Sequence, residues 1–178
     1  MADPGAAPHP VEPWPVEPPP EGALSREGKE LLDDDRPGEA VDVLRRAVAA
    51  GEPGSPDLLA RAYLDDGDWL ACIEWLGPYV AQGHVAFAGR LGVAYVQQGD
   101  LDNAEEALRL AVTSGEVVAA NDLAILLRDT DRLPEALHVL RHAAEGGDEQ
   151  APANLVALLL EAGDLITAAE AAERYADE

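Results

Sequence analysis

Three features of the sequence predict an all-α fold: a right-handed α-solenoid of five helix-turn-helix units of 32 residues each. Hydrophobic residues make up 47% of the chain, as in folded proteins, whereas aromatic residues make up 4% and alanine is abundant. Alanine is the strongest helix former, and alanine-rich cores suit closely packed helices. Apolar residues also recur at spacings of three and four, the pattern of a buried helix face.

A period of 32 residues extends over residues 23–178 and defines units of approximately 23–51, 52–83, 84–115, 116–147 and 148–178. A small residue lies inside each second helix: Ala40, Cys72, Ala104, Ala136 and Ala168. Four residues further on, the column reads Leu44, Leu76, Leu108, Leu140 and Ala172. Because these columns stay in phase, we predict units that bury their apolar faces by stacking on each other.

Glycine and aspartate mark the turns of this pattern. A Gly-Asp pair occurs at Gly67-Asp68, Gly99-Asp100 and Gly163-Asp164. We expect the glycine to end one helix in a left-handed conformation and the aspartate to cap the next helix. A further column of glycines is expected to end the second helices in the same way: Gly51, Gly83, Gly115 and Gly147.

The third unit carries a resemblance to a known family. Its residues Leu91-Gly92, Tyr95, Gly99-Asp100 and Ala104 are followed by Leu108 and Ala111, which resembles the tetratricopeptide repeat signature. The resemblance covers about residues 23–178, but the units are shorter than usual, the early aromatic residue is missing and glycine replaces the closing proline. The segment from Ala143 to Leu155 is also similar to the related SEL-type repeats, so the subfamily stays open.

The resemblance implies an interaction module whose first helices line a concave groove for a protein or peptide. Carried over by position, the groove would include Arg61, Leu64, Arg90, Val93, Gln97, Asn121, Asp122, Arg128 and Asn154. The arginines could meet a carboxylate or the backbone of an extended ligand, or could instead pair with acids of the solenoid itself.

Acidic residues recur at the turns between paired helices, and stacking would align them along one edge. The candidate acidic edge consists of Asp33, Asp34, Asp65, Asp66, Asp102 and Asp129. One interpretation is that this edge docks a basic partner. The other is that the acids serve as helix caps and keep the protein soluble.

Residues 1–22 form a separate segment with eight of the fourteen prolines and no Lys or Arg. Such a segment cannot bury a core and is expected to be extended. Trp14 lies between two Pro-Val-Glu-Pro repeats, so the segment is either a linear binding motif or a passive leader.

Composition excludes several classes of function. The net charge of −23 repels nucleic acids and anionic membranes and favours basic proteins. A single cysteine, Cys72, predicted to be buried, excludes an intrachain disulfide. His138 and His142 lie four apart but lack a third ligand, and no nucleophile, phosphate loop, metal site or cofactor motif is evident. We therefore expect a cytoplasmic protein that is not an enzyme and that binds no cofactor.

The leading functional hypothesis is a scaffold or adaptor that holds a partner protein or peptide in the groove. Two alternatives are an acidic inhibitor, such as an immunity protein or nucleic-acid mimic that neutralises a basic toxin or nuclease, and a structural subunit of a larger assembly. The last helix has no cap beyond it, so self-association through this end is also possible.

Overall fold

A computed structural model describes residues 22–116 and 118–175, and the predicted motif residue Trp14 lies outside them. Within these ranges the chain forms α-helices and one short 3-10 helix, Val85–Phe87, without any strand. The all-α prediction is therefore confirmed. No helix in the described ranges is long and apolar enough to cross a bilayer. The α-helices are α1 Ala23–Asp33, α2 Pro37–Ala49, α3 Ser55–Asp66, α4 Trp69–Ala81, α5 Ala88–Gln98, α6 Leu101–Thr113, α7 Ala119–Asp129, α8 Leu133–Glu145, α9 Ala151–Glu161 and α10 Leu165–Arg174.

The Gly-Asp turns have the predicted geometry. Gly67, Gly99 and Gly163 have φ angles of 77°, 78° and 78°, in the left-handed region that glycine adopts without strain. The aspartate after each glycine accepts a hydrogen bond from the backbone N–H three residues on, at 3.1 to 3.3 Å. Each turn thus ends one helix and satisfies an amide of the next.

Two other turns use a different arrangement that the sequence pattern did not predict. Asp131 takes the place of the glycine, with a φ of 60°, and Arg132 takes the place of the capping aspartate. Arg132 makes no side-chain cap; instead, Pro134 lies at the helix start, and Arg132 forms an ion pair with Glu135 at 2.7 Å. The turn before α2, residues 35–39, repeats this arrangement.

The chain divides into two compact units, Met1–Ala62 and Tyr63–Glu178, with the boundary inside α3. In the first unit α1 packs against α2, where Gly28 lies against the fully buried Leu44. The carboxylate of Glu52 accepts a hydrogen bond from the backbone N–H of Ser25 at 2.7 Å, close to the start of α1. This bond lowers the pKa of Glu52 and links the segment after α2 to the start of α1.

In the second unit, consecutive helices pack against each other from α4 to α10. In addition, α5 contacts α7 and α7 contacts α9, so the first helices of successive pairs form one layer. The small residues Ala104, Ala136 and Ala168 are fully buried between the helices, as predicted, beside Leu108 and Leu140. Cys72 occupies the same column and is also fully buried, and burial raises its pKa to about 11.

The closest approach between α5 and α6 depends on Gly92. A Cβ atom at this position would lie 2.6 Å from Cγ of Leu108. We expect Gly92→Ala to lower the free energy of unfolding by about 1 to 3 kcal/mol, because the extra methyl group overpacks a filled core. Urea denaturation with an unchanged m-value measures this.

The same substitution made in a Leu108→Ala variant is the control for this prediction. When Leu108→Ala has already removed the side chain that the new methyl group meets, Gly92→Ala should cost clearly less stability. Only the backbone nitrogen of residue 108, 3.2 Å from the new Cβ, then remains close, and alanine favours a helix over glycine by about 1 kcal/mol. An equal loss of stability in both backgrounds would show that the contact between residues 92 and 108 is not what requires glycine.

Candidate functional site

The exposed side of α5, α7 and α9, here called the first-helix face, contains two adjacent recesses. The amide recess lies between α7 and α9, has a volume of about 140 Å³ and is lined by Asn121, Arg128 and Asn154. The acidic recess lies between α5 and α7, has a volume of about 280 Å³ and is lined by Asp122 among others. Ile125 lines both recesses and is 48% exposed.

Two asparagines from successive units meet in the amide recess. The Nδ2 group of Asn154 donates a hydrogen bond to Oδ1 of Asn121 at 2.7 Å. Asn121 is 8% exposed, and its own Nδ2 has no hydrogen-bond partner among the described residues. A buried donor without a partner costs stability, and it is the group that a ligand carbonyl can satisfy.

The arginine of the amide recess is held by neighbouring acids. Nε of Arg128 lies 2.8 Å from Oδ1 of Asp129, and its Nη1 lies 3.8 Å from Oε2 of Glu161. These carboxylates raise the pKa of Arg128 and balance its charge. The recess therefore offers uncharged amides rather than an unpaired cation.

The acidic recess surrounds a carboxylate with apolar side chains. Its lining combines the apolar Val93, Val96 and Ile125 with the polar Asp122, Gln97 and Asp129. Burial raises the pKa of Asp122, because the apolar surroundings disfavour the charged form. A cation with an aliphatic stem, such as a lysine or arginine side chain, suits this combination of charge and apolar surface.

The structure brings six of the nine groove residues expected from the sequence into these two recesses. Arg61, Leu64 and Arg90 line neither recess. Arg61 belongs to the first unit, where its Nη1 lies 3.7 Å from Oδ1 of Asp33. Leu64 and Arg90 are half-buried in the second unit.

The residues of the expected acidic edge are all exposed: Asp33, Asp34, Asp65, Asp66, Asp102 and Asp129. Ion pairs within the chain join Asp33 to Arg61 and Asp129 to Arg128. Asp102 lies in the first turn of α6, where a negative charge stabilises the helix dipole. Docking of a basic partner at this edge stays a prediction.

The two histidines that lie four residues apart were the remaining candidate for a metal site. His138 and His142 are exposed on α8. Among the described residues, no group of three or more His, Cys, Asp or Glu side chains could hold a metal ion.

An ion-pair network on the second helices was missed by sequence reasoning. Glu105 and Arg109 of α6 meet Arg132 and Glu135 at the start of α8, and Nη2 of Arg109 lies 3.1 Å from Oε2 of Glu135. The guanidinium groups lower the pKa of Glu105. The signal in the sequence was a basic and an acidic residue 26 positions apart. That spacing predicts a contact only when the repeat geometry is known.

The last helix exposes apolar side chains. Leu165 is 66% exposed and Ile166 is 75% exposed, at the start of α10. Self-association through this end, expected from the sequence, stays a prediction.

Comparison with known proteins identifies the fold. No protein-family model matches the sequence, and no curated protein matches it. A Podosopora anserina protein with nearly identical TPR-like repeats superposes with a TM-score of 0.68 at 20% identity, covering 85% of this chain and 91% of that one. The fold is that of a tetratricopeptide-like helical repeat protein.

Two further solved structures have this tetratricopeptide-like fold in common with the chain. MamA from Desulfovibrio magneticus RS-1 has a TM-score of 0.66 at 16% identity, covering 86% of this chain and 92% of that one. A thermophilic TPR protein of Thermus thermophilus has a TM-score of 0.65 at 22% identity, covering 87% of this chain and 91% of that one. This likeness shows the fold, whereas a particular function depends on the residues that each protein presents.

A pH-dependent stability measurement tests the surroundings of Asp122. Because burial raises its pKa, the charged carboxylate destabilises the folded state at neutral pH, and this cost disappears below the unfolded pKa of about 3.9. We expect Asp122→Asn to be more stable than the parent at neutral pH, by a margin that shrinks as the pH falls. Urea denaturation at several pH values measures this margin, and a margin that grows on acidification would contradict the assignment.

Proposed function

We propose that the chain is a non-catalytic adaptor that binds an extended segment of a partner protein along the first-helix face. The observation that supports this most directly is the Nδ2 group of Asn121, a buried donor without a partner among the described residues, on a residue that lines an open recess. An extended segment carries backbone carbonyl groups that accept such hydrogen bonds whatever its sequence.

The second recess supplies selectivity in this proposal. Asp122 would accept a lysine or arginine side chain, whose aliphatic stem would pack on Val93, Val96 and Ile125. Pairing with a cation would also remove the cost of keeping the Asp122 carboxylate charged.

The test uses a library of random peptides displayed on phage and selected on the full-length chain. We expect enriched peptides to share a basic residue, and their affinity to fall about tenfold in Asn154→Ala, which removes one amide of the pair and leaves the other without its partner. Fluorescence anisotropy with a labelled peptide measures the dissociation constant.

Asn103→Ala is the matched control, because Asn103 is an exposed asparagine on the second helix α6. This variant should bind the selected peptide with unchanged affinity. Failure of the library to yield any peptide, or an equal loss in both variants, would contradict binding at the amide recess.

Salt dependence separates this function from that of an acidic inhibitor. Binding through backbone hydrogen bonds and one half-buried charge should weaken only a little between low and high ionic strength. Inhibition through the exposed acidic edge should weaken steeply, because exposed charges are screened. A steep loss of peptide affinity with salt would favour the inhibitor over the adaptor.

A further inference from the structure

A third recess lies between α8, α9 and α10 and shares no lining residue with the amide recess or the acidic recess. It has a volume of about 200 Å³, and its lining includes the exposed Arg141, Glu170 and Arg174 together with Thr167 and Tyr175. Neither arginine forms an ion pair within the described residues. The hydroxyl of Tyr175 is buried and also has no hydrogen-bond partner there.

The repeat shows why Arg141 has no acidic partner in the described part of the chain. In the preceding pair of second helices, Arg109 forms an ion pair with Glu135 at 3.1 Å. One period of 32 residues later, the same two positions are Arg141 and Thr167. The hydroxyl of Thr167 hydrogen-bonds to Asp164, which caps α10. The arginine is therefore repeated while the carboxylate that neutralises it is replaced by an uncharged side chain.

The charge of this recess is opposite to that of the rest of the molecule. Arg141 and Arg174 contribute two positive charges against one negative charge from Glu170, so the lining carries a net +1. By contrast, Arg128 is balanced by acids in the amide recess, and the acidic recess holds Asp122 and Asp129. In a chain of net charge −23, a recess whose lining keeps an excess positive charge is a candidate site for an anion.

We propose that this recess binds a carboxylate, presented by an acidic side chain of a partner protein. Arginine binds carboxylates through paired N–H groups, and two arginines can hold both oxygens of one group. A carboxylate carries a single negative charge, which neutralises the net +1 of the lining. A dianionic phosphate would leave an excess negative charge in an already acidic protein. This site is independent of peptide binding at the first-helix face.

The experiment follows the arginine Nε–Hε signals of the full-length chain by nuclear magnetic resonance at low ionic strength. The probe is the capped tripeptide acetyl-Gly-Glu-Gly-amide, and acetyl-Gly-Gln-Gly-amide is its uncharged match. We expect the signals of Arg141 and Arg174 to shift saturably with the glutamate peptide and not with the glutamine peptide. The ion-paired Arg109 and Arg132 should not respond.

Variants taken from the repeat itself provide the controls. Thr167→Glu restores the acid found at Glu135 and places it in the first turn of α10, a favourable position for a negative charge. The new carboxylate should pair with Arg141 and weaken binding of the probe by about tenfold or more. Arg141→Gln should weaken binding to the same extent.

Each outcome decides the proposal. Saturable shifts that Thr167→Glu abolishes, in a variant with an unchanged amide spectrum elsewhere, support a carboxylate site. No shift in the parent chain, equal shifts with both tripeptides, or binding unaffected by Thr167→Glu would overturn it. Tighter binding of inorganic phosphate than of the glutamate peptide would overturn the assignment to a carboxylate.

Discussion

The two helices of a pair can approach closely because a small residue on the first helix faces a leucine on the second. Gly28 lies against Leu44, and Gly92 lies against Leu108, in each case 16 residues later in the chain. At neither glycine is there room for even a methyl group before the leucine must move. This contact fixes how the two helices of these pairs are spaced, and Ala124 and Leu140 occupy the equivalent positions one period after Gly92 and Leu108. The side chains that reach the surface at a given position in one unit therefore reach it at the same position in the next.

The elements that local chemistry specifies could be predicted from the sequence. Gly67, Gly99 and Gly163 end helices in the left-handed conformation, and the aspartates after them cap the next helix, because both effects act within a few residues. The turn at Asp131 and Arg132 could not be predicted in this way. There a non-glycine residue takes the left-handed conformation, and an ion pair and a proline replace the side-chain cap.

The candidate site was harder to predict, because its contacts join residues about one repeat apart. Position in the repeat was enough to place Val93, Gln97 and Asp122 at one recess. It did not reveal that Asn154 donates to Asn121, nor that this leaves a buried amide group without a partner among the described residues. It also could not distinguish two kinds of arginine. Nearby acids neutralise Arg128, whereas Arg141 lacks the acid that Arg109 contacts one period earlier. Such differences depend on the side chains at both ends of a contact.

The proposed function places a bound peptide on the first-helix face. It is tested most directly by mapping the backbone amide shifts of the labelled chain when it binds a selected peptide. Binding as proposed predicts that the largest changes fall on α5, α7 and α9, around Ile125, with the side-chain amides of Asn121 and Asn154 among them. The largest changes at the exposed turn acids, such as Asp65 and Asp102, or on α6 and α8, would contradict the claim.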